Sequence, residues 1–136
     1  MRKQLLSVTV PLMLIGSMGP ALAEEPCSVA TLSGTYIFSA LGVAGDAVSA
    51  YAGMISYDGR GAYKIRMHFA GPSEKTRQDS GVYSPSGNCE FEAVSQSGRS
   101  AVYFVNPSGD GFKFVLRDGG NAVGEAERVT RALLVE

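Results

Sequence analysis

The stretch Ile55–Phe69 reads ISYDGRGAYKIRMHF, and its pattern decides the fold that we expect of the whole chain. At its centre, Asp58–Gly61 contains an Asp-Gly pair, which tolerates the positive φ angles of tight turns. The second flank alternates between an apolar and a charged face: Tyr63, Ile65, Met67 and Phe69 against Lys64, Arg66 and His68. This alternation predicts a β-strand with its apolar face inward. No helix-forming stretch with Lys-Ser or Lys-Thr follows, so the pattern predicts a hairpin corner and not a phosphate loop.

Similar turn signals recur along the chain and separate short runs rich in Tyr, Phe, Val and Ile. The seven signals are Gly42–Asp46, Asp58–Gly61, Gly71–Ser73, Pro85–Asn88, Ser97–Arg99, Asn106–Gly111 and Asp118–Asn121. Evenly spaced turns of this kind are typical of an all-β fold. Because the connections are short, we predict an eight-stranded antiparallel up-and-down barrel, which leaves no free edge strand; a β-sandwich is the alternative. The tail Val129–Val135 is compatible with a strand or with a short helical end.

The N-terminal residues have the pattern of an export signal. Arg2 and Lys3 precede the apolar run Leu5–Ile15, and Ala21–Ala23 resembles a small-residue cleavage site. The apolar run is shorter than the roughly 20 residues of a membrane helix. We therefore predict a signal peptide over residues 1–23 and one β-barrel domain over residues 24–136. The expected location is periplasmic or secreted, without membrane insertion of the mature form.

Charge and cysteine content restrict the function further. The chain has 12 basic and 13 acidic residues, and two of the basic residues, Arg2 and Lys3, belong to the predicted signal peptide. No basic cluster suits nucleic acid, so we expect no nucleic-acid partner. In an oxidising compartment, the two cysteines, Cys27 and Cys89, most simply form one disulfide. His68 is the single histidine, so the sequence predicts neither a metal site nor a cofactor.

Three further patterns imitate functional sites. Asn106–Gly111 resembles the first half of a calcium loop, but the twelfth position is Arg117 where a Glu should stand, so a polar turn is the prediction. Glu90 and Glu92 bracket Phe91 as two acids on one strand face, which we interpret as an outward, solvated face. His68 is interpreted as facing solvent; the inverted alternative would place it in a polar cavity as an acid–base group. No catalytic residue is assigned.

The segment Leu32–Tyr36 resembles the Gly-x-Trp opening of the lipocalin and wider calycin barrels, with Tyr36 in place of Trp. In that group a basic side chain of the last strand packs over the opening aromatic ring, and the resemblance implies this role for Arg128. The chain also resembles a set of small exported bacterial barrels of uncharacterised function. The shared pattern comprises Leu32–Tyr36, Asp58–Gly61, Ser80–Tyr83 and Cys89.

The many aromatic residues suggest a ligand site inside the barrel. We predict a module that binds a small apolar or aromatic molecule in its interior. The predicted ligand-binding residues are Tyr36, Phe38, Tyr63, Met67, Phe91, Tyr103 and Phe114. One alternative is an isomerase or cyclase resembling the allene-oxide-cyclase-like barrels. Another is a protein-binding module resembling the periplasmic barrel inhibitors of proteases, and the sequence identifies no particular protein partner.

Overall fold

The chain forms one closed barrel of eight antiparallel strands, each paired with its neighbours in sequence, and the last strand pairs with the first. A computed structural model describes residues 27–44, 46–71, 75–118 and 121–136. The predicted signal peptide, residues 1–23, and the predicted domain start at residue 24 lie outside the described residues. The up-and-down barrel prediction is confirmed, and the sandwich alternative is wrong.

A single turn of 3-10 helix, Val29–Thr31, precedes the first strand. The strands are β1 Ser33–Ala44, β2 Ala47–Asp58, β3 Ala62–Phe69, β4 Thr76–Pro85, β5 Glu90–Ser95, β6 Ser100–Val105, β7 Gly111–Asp118 and β8 Asn121–Thr130. Within the described residues, no helix is long and apolar enough to cross a bilayer.

All seven predicted turns coincide with strand connections, but six of the predicted turn bounds belong to strands: Gly42, Asp58, Pro85, Gly111, Asp118 and Asn121. Gly42 was expected in a turn and instead lies within β1, which continues to Ala44. A Cβ atom at Gly42 would be 2.9 Å from the carbonyl oxygen of Asn121 and 3.2 Å from Cβ of Ala122. Glycine is therefore a packing residue here, where β8 comes close. Likewise, Pro85 is the last residue of β4, where a missing N–H is tolerated.

The Asp58–Gly61 corner is built as the sequence predicts. The Oδ1 atom of Asp58 accepts hydrogen bonds from the backbone N–H of Arg60 at 2.7 Å and of Ala62 at 3.0 Å. Burial alone would raise the pKa of Asp58, but these N–H donors lower it below its ordinary value. Gly59 and Gly61 have φ of 74° and 112°, a region that favours glycine.

The faces of β3 are those that the alternation predicts. Tyr63 and Met67 are buried, whereas Lys64 and His68 are exposed. His68 Nδ1 hydrogen-bonds Thr76 Oγ1 at 3.1 Å on the outer surface, so the inverted reading with His68 in a cavity is wrong. Ile65, Arg66 and Phe69 are half-buried, and Ala62 at the start of β3 is exposed.

On β5 the two acids also face outward. Glu90 and Glu92 are exposed on either side of the fully buried Phe91. Glu92 lies 4.0 Å from Arg117 in an ion pair whose two side chains are both mostly exposed, an arrangement that contributes little stability. The expected solvated face is therefore present.

One end of the barrel, here called the floor, is closed by Leu32, Tyr36, Tyr83 and Phe91, all buried. The Tyr83 hydroxyl donates to the carbonyl oxygens of Leu32 at 2.8 Å and Val29 at 3.1 Å, and the Tyr36 hydroxyl donates to the carbonyl of Gly109. These tyrosines fix the N-terminal turn and the β6–β7 turn across the end of the barrel.

The C-terminal tail packs on the outer face of β1 and β2. The backbone N–H of Leu134 donates to Thr35 Oγ1 at 2.9 Å, and that of Val135 donates to Ser56 Oγ at 3.1 Å. The helical alternative for Val129–Val135 is wrong, because β8 runs to Thr130 and no helix follows it in the described residues. The hydroxyls of Thr35 in β1 and Ser56 in β2 accept the hydrogen bonds of the tail's backbone N–H groups. The sequence of the tail does not indicate these long-range bonds.

Two long-range predictions about side chains are confirmed. The guanidinium carbon of Arg128 lies 5.8 Å from the centre of the Tyr36 ring, and its Nη1 donates to the Ser33 carbonyl at 3.3 Å. Cys27 and Cys89 form a disulfide with their Cα atoms 4.8 Å apart. Cys89 lies just before β5, with φ 60°. A disulfide is typical of a non-reducing compartment.

Candidate functional site

A cavity of about 60 Å³ occupies the upper interior of the barrel. It is larger than the roughly 15 Å³ that one water needs, and much smaller than the several hundred Å³ of a drug-sized site. Seven aromatic side chains form most of its wall: Phe38, Tyr51, Tyr57, Tyr63, Tyr103, Phe112 and Phe114. The space suits a compact molecule, or the compact end of a longer one.

The cavity exists because several inward positions carry small residues. Ala93 on β5 is paired with Ala101 on β6, and both line the cavity. Gly81 lets the Tyr63 hydroxyl lie directly over β4, where a Cβ atom would be 2.7 Å from it. Gly124 likewise leaves room for the edge of the Phe114 ring over β8. Tyr63 and Phe114 thus each lie over a glycine of a neighbouring strand, and space remains between the rings.

Two tyrosine hydroxyls in the cavity wall are buried without a partner. Tyr57 is 0% exposed and Tyr51 is 9% exposed, and neither hydroxyl has a hydrogen-bond partner among the described residues. An unsatisfied buried hydroxyl costs about 1–3 kcal/mol. By contrast, the hydroxyls of Tyr36 and Tyr83 are both bonded to carbonyls of the floor. The unpaired groups are therefore confined to the cavity.

The ionisation of these tyrosines follows from their burial. Burial raises the pKa of Tyr57 well above its ordinary value, and the neighbouring hydroxyl of Tyr103 raises it further. Burial also raises the pKa of Tyr103 to about 12. Both hydroxyls stay protonated at neutral pH, so they can donate and accept hydrogen bonds to a ligand but do not act as bases.

A polar group lies at the opposite end from the floor, here called the mouth and formed by Asp79, Ser95, Ser97 and Arg99. The carboxylate of Asp79 accepts from the backbone N–H of Ser80 at 2.9 Å and from the Ser97 hydroxyl. Ser95 and Ser97 join their hydroxyls at 2.9 Å. Burial alone would raise the pKa of Asp79, but these hydrogen bonds lower it, so the carboxylate is ionised at neutral pH.

Five of the predicted ligand residues line the cavity: Phe38, Tyr63, Met67, Tyr103 and Phe114. Tyr36 and Phe91 lie instead in the floor, fully buried. Sequence reasoning missed Tyr51, Tyr57 and Asp79. Tyr57 continues the inward alternation from Ile55 and was visible in principle. Asp79 was not, because an acid on a strand is normally outward.

The candidate calcium loop is a polar turn. Asp110 Oδ1 accepts from the Ser108 hydroxyl at 2.6 Å and from Asn106 Nδ2 at 3.2 Å. Its oxygen ligands are thus used within the turn. The described part of the chain contains no cluster of three or more His, Cys, Asp or Glu side chains that could hold a metal ion.

We expect Tyr57→Phe to stabilise the ligand-free barrel by about 1 kcal/mol, because it removes an unpaired buried hydroxyl and leaves the ring in place. Tyr83→Phe is the matched control and should destabilise by about 1 kcal/mol, because it breaks the bonds to Val29 and Leu32. Urea unfolding of both variants provides the measurement. A loss of stability in Tyr57→Phe as large as in Tyr83→Phe would show that the Tyr57 hydroxyl is satisfied after all.

Comparison with known proteins supports the fold. No family model matches the chain, and no curated protein matches it. Among solved structures, it is similar to a de novo designed fluorescence-activating β-barrel, with a TM-score of 0.50 and 21% sequence identity. The match covers 74% of this chain and 96% of the designed one. At this level of identity the similarity concerns the barrel architecture alone.

Proposed function

We propose that the protein binds a small, largely apolar or aromatic molecule inside the barrel. The observation that carries this proposal is the pair of buried, unpaired hydroxyls of Tyr51 and Tyr57 in a cavity walled by aromatic rings. A protein that only needed a filled core would gain stability from phenylalanine at both positions. A ligand with a polar group would satisfy the hydroxyls and recover their cost on binding.

The small alanines between the rings support the same proposal. Large side chains at Ala93 and Ala101 would fill the cavity, as side chains do in many small barrels. The similar designed barrel is described as fluorescence-activating. That description concerns the designed protein, and its likeness to this chain supports the architecture without specifying a ligand.

The proposal includes export. The pattern of residues 1–23 and the Cys27–Cys89 disulfide both support a periplasmic or secreted barrel. The contact of Arg128 with Tyr36 supports a relationship with the calycin and lipocalin barrels. We propose no nucleic-acid partner, because the sequence carries no basic cluster.

The test is native mass spectrometry of the protein purified from its own host, combined with a variant whose cavity is filled. Wild type should carry a small molecule that denaturation releases. Ala101→Leu adds three carbon atoms to the cavity wall and should abolish retention, whereas Ala52→Leu, at an exposed position of β2, should not. Both variants should be melted to confirm folding. Retention that survives Ala101→Leu, or a wild type without any retained molecule, would overturn the proposal.

A further inference from the structure

We propose that the ligand is a small organic cation whose ammonium group lies among the aromatic rings and is paired with Asp79. This inference rests on the proposed function and specifies its ligand class. It follows from the carboxylate of Asp79 at the mouth, the aromatic rings of the cavity wall, and the two contacts between an arginine and an aromatic ring that the barrel already contains.

The barrel places a cation against an aromatic ring at both ends of its interior. Arg128 lies 5.8 Å from the centre of the Tyr36 ring at the floor, and Arg77 lies 5.4 Å from the centre of the Phe69 ring on β3. The rings between them line the cavity and have no such partner among the described residues. Aromatic faces carry negative electrostatic potential and attract cations within about 6 Å of the ring centre. The cavity rings that have no cation against them therefore favour a positively charged ligand group.

Asp79 supplies the counter-charge. It is the one acidic side chain among the described residues that line the cavity. In the part of the chain that the structure describes, the one ion pair joins Arg117 and Glu92, so Asp79 is an ionised carboxylate without a cation within 4.0 Å. Its two hydrogen bonds come from Ser80 and Ser97 and leave lone pairs on both oxygens. An ammonium group could use these lone pairs.

Arg99 is the competing feature, because its side chain also lines the cavity and would suit an anion. Its backbone N–H donates to Ser95 Oγ at 3.1 Å, which fixes the turn beside Asp79. An anion at Arg99 would be repelled by the negative faces of the rings and by the Asp79 carboxylate, whereas a cation would be attracted by both and repelled by Arg99 alone of the lining residues. The observations favour the cation, and the anion becomes an outcome of the test.

The volume limits what part of the ligand is buried. A cavity of about 60 Å³ is too small to enclose a drug-sized molecule. A compact head group such as a methylated ammonium is a better match, with the remainder of the molecule directed toward the mouth. The unpaired hydroxyls of Tyr51 and Tyr57 would then accept a hydrogen bond or contact the polarised methyl groups.

The experiment compares three probes of nearly equal shape and different charge. These are choline, its neutral carbon isostere 3,3-dimethyl-1-butanol, and the anion 3,3-dimethylbutanoate, each titrated into the full exported protein by calorimetry at low salt. We expect choline to bind about tenfold more tightly than the neutral isostere. Asp79→Asn should remove that difference without changing the affinity for the neutral isostere. Arg99→Gln should leave choline binding equal or stronger.

The control variant is Asp46→Asn, which makes the same change of charge at an exposed turn residue and should leave all affinities unchanged. Thermal melts confirm that each variant is folded. Equal or tighter binding of the neutral isostere or of the anion would overturn the cation assignment and leave the proposed function standing. Failure of all three probes to bind would also overturn the cation assignment. The proposed function is tested separately, by the retained molecule in native mass spectrometry.

Discussion

The double variant Cys27→Ser/Cys89→Ser should lose about 4 kcal/mol of unfolding free energy relative to wild type. The disulfide closes a loop between residues 62 positions apart, and its removal restores conformational entropy to the unfolded chain. A domain of this size has a total stability of only about 5–15 kcal/mol, so the loss is a large part of it. Urea unfolding of both proteins measures the difference, and replacing both cysteines avoids a reactive single thiol.

Reduced wild type is the control for this prediction, because it lacks the same crosslink and keeps its own side chains. Its unfolding curve should lie close to that of the double variant. Cys27 packs against the core, so only the double variant should show a small additional loss from packing. A difference below about 1 kcal/mol between oxidised wild type and the double variant would show that the crosslink does not restrict the unfolded chain.

Phe91→Ala should destabilise the barrel by about 4 kcal/mol, because it removes a fully buried ring and leaves a cavity in the floor. Phe91 is 0% exposed, lies 6.3 Å from the Tyr83 ring between ring centres, and is paired with Tyr103 across β5 and β6. The matched control is Phe104→Ala, at the residue that follows Tyr103 in β6. Its ring is 53% exposed on the outer face, so its loss should cost less than about 1 kcal/mol.

Chemical denaturation of the two alanine variants tests which side chains of β5 and β6 point into the barrel. A shift of one residue in the β5–β6 register would exchange the inward and outward sets of side chains. Equal effects of the two substitutions, or a larger effect at Phe104, would therefore contradict the register of the barrel and the position of the floor.

Much of the architecture could be predicted because neighbouring residues determine it. Asp58–Gly61 needs its glycines at positive φ, and the alternation from Tyr63 to Phe69 divides β3 into two faces. These local signals fixed the number of strands and the hairpin corners. The disulfide was predictable because two cysteines allow one intramolecular pairing. The contact of Arg128 with Tyr36 was reached only through resemblance to other barrels.

The remainder depended on contacts between distant segments. Leu134 and Val135 bond to hydroxyls of Thr35 and Ser56, and no periodicity in the tail indicates this. The cavity is similarly non-local, since it depends on which rings meet glycine or alanine across the barrel. The pattern predicts that Tyr63 faces inward, but it does not predict that Tyr57 lacks a hydrogen-bond partner. Satisfaction of a buried hydroxyl is a property of the three-dimensional packing.

The order of the strands has a consequence for the folding kinetics. Seven of the eight strand pairings join consecutive strands, so their contacts are local in sequence and form quickly. The pairing of β1 with β8, here called the β1–β8 seam, joins opposite ends of the domain. We expect this pairing to form last, because it closes the longest loop and so costs the most entropy. Substitutions along this seam, such as at Arg128, should accelerate unfolding and leave the folding rate almost unchanged. We therefore expect the lifetime of the folded barrel to depend on the pairing of β1 with β8, and its folding rate to depend on the hairpins between consecutive strands.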